Sequence, residues 1–452
     1  MTQRIKVIGG GLAGPEAALQ AARRGCEVDL YEMRPVRSTE AHQTAHFAEL
    51  VCSNSLKSES EYSAPWLLKE EMRRAGCVLL AEADASSVPA GHALAVDREL
   101  FSARVAARIA AEPRITVHRE EVTSLEEQAL EGVTILASGP LTSPALAAEL
   151  QRLTGSDHLA FYDSISPIVD ASTIDMSKVY FAARYDKGTA DYINCPFTKE
   201  EYERFLDALT TAEAVQVKDW EKFPVTGTAE KLQYFEGCLP IEETARRGRD
   251  TLRFGPMKPV GLTDPKTGRW PYAVVQLRQE NLRADSYNLV GFQNHLKYGE
   301  QQRVLRLIPG LENATFLRYG QIHRNTYVHA PSLLSETLQL KTDARIMIAG
   351  QLSGVEGYTE SIASGMLAGM YAASIARGFS PEAAPRLSAN GSLTHYITHA
   401  ETKRFQPANI TFDLLPPLEE ELRKGIRDKK ERHRLQCERA LQAWDEWISQ
   451  IR

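Results

Sequence analysis

The sequence has 452 residues, 43% of them hydrophobic and 25% charged, as in an ordinary soluble globular protein of two or three domains. Its formal net charge of −6 excludes a global positive field that attracts nucleic acid or an anionic membrane, so a polyanion needs a local basic patch. No run of about 18 apolar residues predicts a membrane span, and the first strand begins too early for a signal peptide. These features favour a cytoplasmic enzyme.

The N-terminal segment predicts a nucleotide-binding unit. An apolar strand, 5–8, precedes a Gly-x-Gly-x-x-Gly pattern, an Ala-rich helix to about Arg24 and a second strand, 27–31. The three glycines permit a tight turn, close approach of a pyrophosphate, and close packing of the helix on the strand. The helix N-terminus favours phosphates, and Glu32 has the spacing of a ribose-binding carboxylate. The predicted dinucleotide contacts are Gly9, Gly10, Gly11, Leu12, Ala13, Gly14 and Glu32.

Two later segments favour FAD as this dinucleotide. Residues 132–140, "GVTILASGP", predict an apolar strand that ends in a turn of small residues. Residues 344–373 predict a strand, a Gly-rich loop and a helix of small residues, and the loop with the helix N-terminus suits the electron-rich pyrimidine edge of a flavin. The predicted flavin contacts here are Gly139, Gly350, Gly354 and Tyr358.

The last third of the chain therefore completes the domain that the first residues begin. The predicted fold class is α/β, a Rossmann-type FAD-binding domain closed by the C-terminal third, with an inserted α+β domain. Gly365 and Gly369 predict close packing of the late helix on the sheet. The predicted boundaries are 1–185 and 310–415 for the two parts of the FAD-binding domain, 186–309 for the insertion, and 416–452 for a helical tail.

The six cysteines form no Cys-x-x-Cys pair and have no zinc-site spacing from histidine, so we predict neither a metal site nor a disulfide framework. Cys26 and Cys77 each follow a Gly-ended helix and begin an apolar strand, as buried structural thiols do. Cys52 and Cys238 instead lie on irregular chain beside polar groups. A thiol there is reactive if it is partly exposed near positive charge and structural if it is sequestered, and the sequence leaves both open.

The insertion carries a run of basic residues close to aromatic ones. Within 13 residues lie Arg246, Arg247, Arg249, Arg253 and Lys258. Such a run is either a solvated face or a phosphate-binding patch beside rings that stack on unpaired bases. A second run, 423–434, predicts an exposed helix.

Motifs from one end of the chain to the other point to a single family. They are "GPEAA" after the glycine pattern, "ELVCSNSLKS", "YFEGCLPIEE", "LRFGPMKPVGL", "YNLVGFQNHLKYGEQ", "YGQIHRNTYVHAP" and "GQLSGVEGYTESIASG". Together they resemble the folate/FAD-dependent tRNA (uracil-5-)-methyltransferase family, and the two cysteine loops are the specific part.

The resemblance implies methylation of C5 of the T-loop uridine at tRNA position 54. The carbon comes from 5,10-methylenetetrahydrofolate and is relayed by reduced FAD, which NADH or NADPH regenerates. The implied partners are the tRNA T-arm and tetrahydrofolate, with no membrane and no obligate protein partner. Because C5 of uracil reacts only after a nucleophile adds to C6, we expect Cys238 to be that nucleophile. We expect Cys52 to remove the C5 proton or to act as an alternate nucleophile, and the division between them stays open.

The resemblance also suggests substrate contacts and leaves other functions open. Phosphates of the extruded tRNA loop are expected to meet Arg246, Arg247 and Arg249. Folate or the isoalloxazine is expected to meet His323, Arg324 and Asn325, although a structural histidine fits equally well. The alternatives are a related, longer flavoprotein that modifies the tRNA wobble uridine, an NAD(P)H-dependent FAD oxidoreductase of a small molecule, and a non-catalytic flavin-binding protein.

Overall fold

The computed structural model describes residues 4–39, 41–125, 132–155, 159–215, 239–401 and 405–451, with the backbone alone at 159–164 and 322–324. The strands are β1 (Ile5–Ile8), β2 (Val28–Tyr31), β3 (Ser55–Ser58), β4 (Ser87–Val88), β5 (Ala93–Val96), β6 (Ile115–His118), β7 (Val133–Leu136), β8 (Leu159–Ser164), β9 (Ile168–Asp170), β10 (Tyr180–Ala182), β11 (Tyr192–Phe197), β12 (Ala273–Gln279), β13 (Ser286–Leu289), β14 (Phe316–Arg318), β15 (Ile322–Tyr327) and β16 (Ile346–Ile348). The helices are α1 (Ala13–Arg23), α2 (Ala64–Arg74), α3 (Val78–Asp84), α4 (Arg98–Ala111), α5 (Pro144–Thr154), α6 (Lys199–Thr211), α7 (Ile241–Arg246), α8 (Thr251–Phe254), α9 (Tyr298–Leu305), α10 (Ala330–Leu333), α11 (Tyr358–Ala376), α12 (Ala389–His399), α13 (Glu420–Gly425) and α14 (Lys429–Gln450).

The predicted strand–turn–helix–strand unit lies in a parallel sheet of order β16-β7-β1-β2-β6. Its central strands β1 and β7 are buried on both faces except at Lys6, which is why they are apolar apart from Lys6 and Thr134. Because β16 pairs with β7, the C-terminal part of the chain completes the sheet that the N-terminal part begins. The predicted α/β fold class, with a Rossmann-type domain closed in this way, is confirmed.

Close helix packing fixes the glycine-rich loop over this sheet. A Cβ at Gly365 would lie 2.3 Å from the carbonyl oxygen of Ala13, and one at Gly369 would lie 2.4 Å from that of Ala17. The two glycines therefore let α11 approach the backbone of α1. The predicted close packing is confirmed, since α11 contacts β7 and β1 of the sheet, and at the two glycines themselves the partner is helix α1.

A second sheet, antiparallel and of order β10-β11-β12-β13-β9-β14, belongs to the middle of the chain. The predicted capping box at Thr198 and Glu201 begins α6, whose buried face packs on this sheet. The sheet takes strands from 168 to 318, on both sides of the segment 186–309. The domain boundaries themselves stay predictions.

Cys26 and Cys77 are both buried, but the segment after Cys77 is the helix α3 and not a strand. The buried carboxylate of Glu16 accepts the backbone N–H groups of Val78 and Leu79 at 3.1 and 2.8 Å. A carboxylate at a helix N-terminus satisfies N–H groups that have no partner inside the helix. The acid that supports this helix lies on α1, so the local sequence did not reveal it.

The basic run 423–434 spans two helices, the end of α13 and the start of α14, and not one. The indole Nε1 of Trp444 on α14 donates to the backbone oxygen of Glu71 at 2.7 Å, which joins the C-terminal helix to α2. Among the described residues, none of the helices has the length and apolar character needed to cross a membrane.

Candidate active site

A cavity of about 420 Å³ opens at the carboxyl ends of β1, β2, β7 and β16. In a parallel α/β sheet, ligands bind outside these strand ends, where the loops diverge. Five segments form most of its wall: the loop between β1 and α1, the chain after β2, the segment 51–57, the chain after β7, and the loop between β16 and α11.

The loop between β1 and α1 has the geometry of a pyrophosphate cradle. Gly9 has a φ of 118°, and a Cβ there would lie 2.3 Å from the carbonyl oxygen of Ala137. At Gly11 a Cβ would meet no atom within 4 Å, so the bare backbone opens onto the cavity. A phosphate can approach such a backbone at the N-terminus of α1. These residues fit the dinucleotide part of FAD.

Glu32 closes the loop from the end of β2. Its Oε2 accepts the backbone N–H of Gly10 at 2.8 Å, and its two oxygens bind Arg34 through Nε and Nη2 at 3.0 and 3.2 Å. Burial alone raises the pKa of Glu32, but the Arg34 guanidinium and the amides of Arg34 and Gly10 bring it below its ordinary value. Glu32 is therefore a fixed anion on the wall of the cavity.

The structure brings most of the predicted cofactor residues to one cavity. Those on its wall are Gly9, Gly10, Gly11, Leu12, Ala13, Glu32, Gly139, Gly350 and Tyr358. Gly14 lies beneath the loop, where a Cβ would be 1.8 Å from the oxygen of Gly9, and Gly354 faces the ring of Phe405. Both glycines permit close packing at these points, and the cofactor-binding roles of all eleven residues stay predictions.

Cys52 also lies on the cavity wall and is partly exposed. The phenol oxygen of Tyr358 accepts the backbone N–H of Cys52 at 2.7 Å and that of Ser53 at 3.2 Å. Tyr358 is the first residue of α11. It therefore fixes the segment 51–57, here called the thiol loop, to the helix that follows the loop between β16 and α11, here called the flavin loop.

Asn54 explains why polar chain follows Cys52. Its Nδ2 donates to the carbonyl oxygens of Val96 and Gln279 at 3.1 and 2.9 Å. Its Oδ1 accepts from Arg278 and Asn288 at 3.0 and 3.2 Å. This fully buried amide ties the thiol loop to the second sheet, which an apolar residue could not do.

A buried lysine holds the other end of the same loop. The Lys69 ammonium donates to the carbonyl oxygens of Leu56 and Ser58 at 2.9 and 2.8 Å and pairs with Glu59 at 2.9 Å. Burial lowers the pKa of Lys69, and Glu59 opposes that effect. The ammonium satisfies backbone oxygens that a strand of irregular register leaves unpaired.

Two guanidinium groups, of Arg98 and Arg318, interact electrostatically with the sulfur of Cys52. Arg98 donates to the carbonyl oxygen of Leu50 at 2.5 Å and is held by Glu280, while Arg318 donates to that of Ala41 at 3.3 Å. Burial acts to lower the pKa of Arg98, but Glu280 brings it above its ordinary value, whereas burial lowers the pKa of Arg318. The Cys52 sulfur has a smaller effect on both, in the direction that raises the pKa. Positive charge near a partly exposed thiol favours the thiolate.

The other predicted site residues are placed differently. Cys238 lies outside the described residues. His323 and Arg324 are on β15, which pairs with β8, and only their backbone is described. Asn325, next on the same strand, is buried and lines the cavity.

The predicted phosphate-binding arginines lie on the surface of the insertion. Arg246 ion-pairs with Glu243, and Arg249 with Glu203 and with Asp207. The Arg249 side chain is 58% exposed. Phosphates would therefore compete with carboxylates for these cations.

Sequence reasoning missed several residues on the wall, among them Lys57 and Asn409. The Lys57 ammonium donates to Glu360 at 2.5 Å and to Asn409 at 2.8 Å, and its φ is 66°. The polar run after Cys52 was the available signal for Lys57. Nothing local marks Asn409, which the fold brings to the cavity from beyond α12.

Comparison with known proteins shows the family of the chain. The family model described as "Glucose inhibited division protein A" matches residues 4–380. The chain is 68% identical over 449 residues to the methylenetetrahydrofolate–tRNA-(uracil-5-)-methyltransferase TrmFO of Koribacter versatilis, and the match covers 99% of both chains. It is 61% identical to the protein of that name from Solibacter usitatus over 99% of both chains, and 54% identical to that of Enterococcus faecalis over 98% of both.

Solved structures show the same fold at low identity. The form II crystal structure of Aquifex aeolicus GidA has a TM-score of 0.70 and 17% identity, covering 99% of this chain and 74% of that one. The form I crystal gives 0.69 and 17%, with 100% and 76% covered.

Proposed function

The chain belongs to the TrmFO family of methylenetetrahydrofolate–tRNA-(uracil-5-)-methyltransferases, and from this premise we propose that the cavity is the site at which it methylates the T-loop uridine at tRNA position 54. The enzyme transfers a carbon from 5,10-methylenetetrahydrofolate to C5 of uracil in tRNA. The observation that supports this use of the cavity is the position of Cys52, on the same wall as the glycine loop and Glu32.

When bound, FAD supplies the reducing equivalents that convert a methylene carbon into a methyl group, and NADH or NADPH restores them. The amides of the Gly9–Ala13 loop and the N-terminus of α1 would hold its pyrophosphate. Glu32 would accept a ribose hydroxyl, and Tyr358 and Gly350 would lie along the flavin.

The thiols act on the uracil ring. A thiolate adds to C6, forming a C–S bond and moving an electron pair to C5, which then bonds to the incoming carbon. A base removes the C5 proton as the bond between that carbon and its carrier breaks, which leaves an exocyclic methylene on C5. Hydride, which the reduced flavin would supply when bound, adds to that methylene, and the electron pair it displaces re-forms the C5–C6 double bond and expels the thiolate from C6. We assign Cys238 as the nucleophile and Cys52 as the base or alternate nucleophile. The guanidinium groups of Arg98 and Arg318 support a thiolate at Cys52.

Recognition of the tRNA T-arm falls to the insertion. The target uridine has to leave its stacked position, which costs a few kcal/mol. Arg246, Arg247 and Arg249 would hold phosphates meanwhile, and His323, Arg324 and Asn325 would contact folate or the flavin. We place the reaction in the cytoplasm, where the substrate tRNA is, and assign it no obligate protein partner.

The test is methyl incorporation into unmodified tRNA by the purified chain, with labelled methylenetetrahydrofolate and NADPH. We expect a yellow protein that labels C5 of uridine 54. Label at the wobble uridine, or NADPH oxidation without labelled tRNA, would support the related wobble enzyme or a small-molecule oxidoreductase instead. A T-loop RNA with 5-fluorouridine should form a covalent adduct, because fluorine at C5 blocks removal of the proton.

A further inference from the structure

A cluster of metal-ligand side chains lies away from the cavity, at Glu336, His395 and His399. The two histidines are one turn apart on α12, with ring centroids 4.3 Å apart and ring planes inclined by 12°. Glu336 follows α10 and reaches the same face. One ligand atom from each of the three lies within 4.8 Å of the other two.

The separations suit a tetrahedral ion. Oε1 of Glu336 is 2.8 Å from Nδ1 of His395 and 3.6 Å from Nδ1 of His399. Zinc bonds of about 2.1 Å to nitrogen and oxygen place two ligands of a tetrahedron about 3.4 Å apart. The two observed distances bracket that value, and the two imidazoles contribute atoms within 4.8 Å of each other. Because the two rings are stacked, they have to rotate for their nitrogens to converge on one ion.

The cluster is held in place and open to solvent. His395 hydrogen-bonds to Glu336, and Nδ1 of His399 lies 2.9 Å from Oγ1 of Thr398. The three side chains are 37%, 52% and 42% exposed in the order His395, His399, Glu336, so an ion with its water ligands can reach them. Arg386 interacts with the charge of Glu336 and is the group that opposes a cation.

The cluster lies between α12 and a turn that supports the cavity. Glu336 lies in the turn closed by the bridge between Leu334 and Leu340. This turn supports β16, because the N–H of Ile348 donates to the oxygen of Leu338 at 2.9 Å. Strand β16 leads directly into the Gly350 loop on the cavity wall.

We propose that Glu336, His395 and His399 bind one divalent transition-metal ion. Two imidazoles and one carboxylate form a ligand set that suits Zn²⁺, with water as the fourth ligand. The ion cross-links the turn 334–340, which supports β16, to α12. This proposal differs from the expectation of no metal site, which rested on the spacing of cysteines; His395 and His399 form a His-x-x-x-His pattern without cysteine.

The proposal is tested on FAD-loaded protein without a polyhistidine tag, after treatment with a chelator. Titration with Zn²⁺ in a calorimeter should show one saturable site, and Co²⁺ should give the visible bands of tetrahedral coordination beyond the flavin absorption. The thermal midpoint should rise with Zn²⁺, because the ion binds the folded chain.

Single variants decide whether these side chains are the ligands. His395→Ala, His399→Ala and Glu336→Gln should each weaken Zn²⁺ binding by at least about tenfold and remove the shift in thermal midpoint. His433→Ala, on α14, is the matched control and should bind as the parent does. The proposal would be overturned if the parent chain showed no saturable Zn²⁺ binding, or if the three ligand variants bound Zn²⁺ as tightly as His433→Ala does.

Discussion

The hydroxyl of Tyr358 and the backbone N–H of Cys52 are 306 positions apart in sequence and 2.7 Å apart in space. The same oxygen accepts from Ser53, so one phenol sets the course of the thiol loop. Because Tyr358 begins α11, any shift of that helix moves Cys52 with it. The position of the thiol therefore depends on the segment that carries the flavin loop.

Tyr358→Phe should misplace the thiol loop while the cofactor stays bound. Without the hydroxyl oxygen, the N–H groups of Cys52 and Ser53 lose their acceptor, which should lower the free energy of unfolding by about 1–3 kcal/mol. The methylation rate should fall at least about tenfold. Tyr371→Phe is the matched control, because the Tyr371 hydroxyl on the same helix accepts the N–H of Ala384 at 2.9 Å. We expect the two variants to lose similar stability, but only Tyr358→Phe to lose methylation activity. Equal methylation rates in the two variants would show that Tyr358 does not position Cys52.

Arg34→Met should raise the pH at which FAD is released on acidification. The pKa of Glu32 is held below its ordinary value of 4.5, so its contribution is present above that value and is lost as the pH falls through the folded pKa. Without Arg34, burial acts unopposed by the guanidinium and raises the pKa of Glu32, so FAD should be released at a higher pH than from the parent. The measurement is flavin fluorescence against pH.

The control for that titration is Arg4→Met, which removes an ion pair with Asp29 on the same sheet. It should release FAD over the same pH range as the parent. A release profile for Arg34→Met that coincides with the control would contradict the role given to the Glu32–Arg34 pair.

Gly365→Ala should destabilise the FAD-binding domain. The new methyl group would lie 2.3 Å from the oxygen of Ala13, which forces α11 away from α1 and disturbs the loop between β1 and α1. We expect a loss of about 1–3 kcal/mol in denaturant unfolding, with weaker FAD binding. Gly299→Ala in α9, where a Cβ meets nothing within 4 Å, should instead be neutral or stabilising. Unchanged stability in Gly365→Ala would refute this packing.

Arg246→Glu/Arg249→Glu should weaken tRNA binding without changing the flavin spectrum. Each lost phosphate contact should also reduce the slope of log K against log salt by about 0.7–0.9, because fewer counterions are released. Arg283→Glu is the control, since this arginine in the same middle region is also ion-paired, to Asp285. Unchanged affinity in the double variant would show that these arginines form a solvated face.

The sequence predicted those parts of the site whose signal is local. Gly9, Gly11 and Glu32 lie within one strand–helix–strand unit, so spacing alone brings them together. The groups that hold Cys52 could not be found in this way. Tyr358 reaches the backbone of Cys52 from α11, and the neighbouring Asn54 bonds to the second sheet. The helix after Cys77 was missed for the same reason, since Glu16 supports it from α1. Long-range hydrogen bonds to irregular backbone leave no periodic pattern in a sequence.

Methyl transfer by Cys52→Ala tests the central claim most directly. The variant is purified, its FAD content is measured by absorbance, and label from methylenetetrahydrofolate is counted in T-loop uridine, with the buried Cys195→Ala as control. We predict full FAD content in both, with labelled tRNA from the control alone. Labelling by Cys52→Ala at the parent rate would contradict the account.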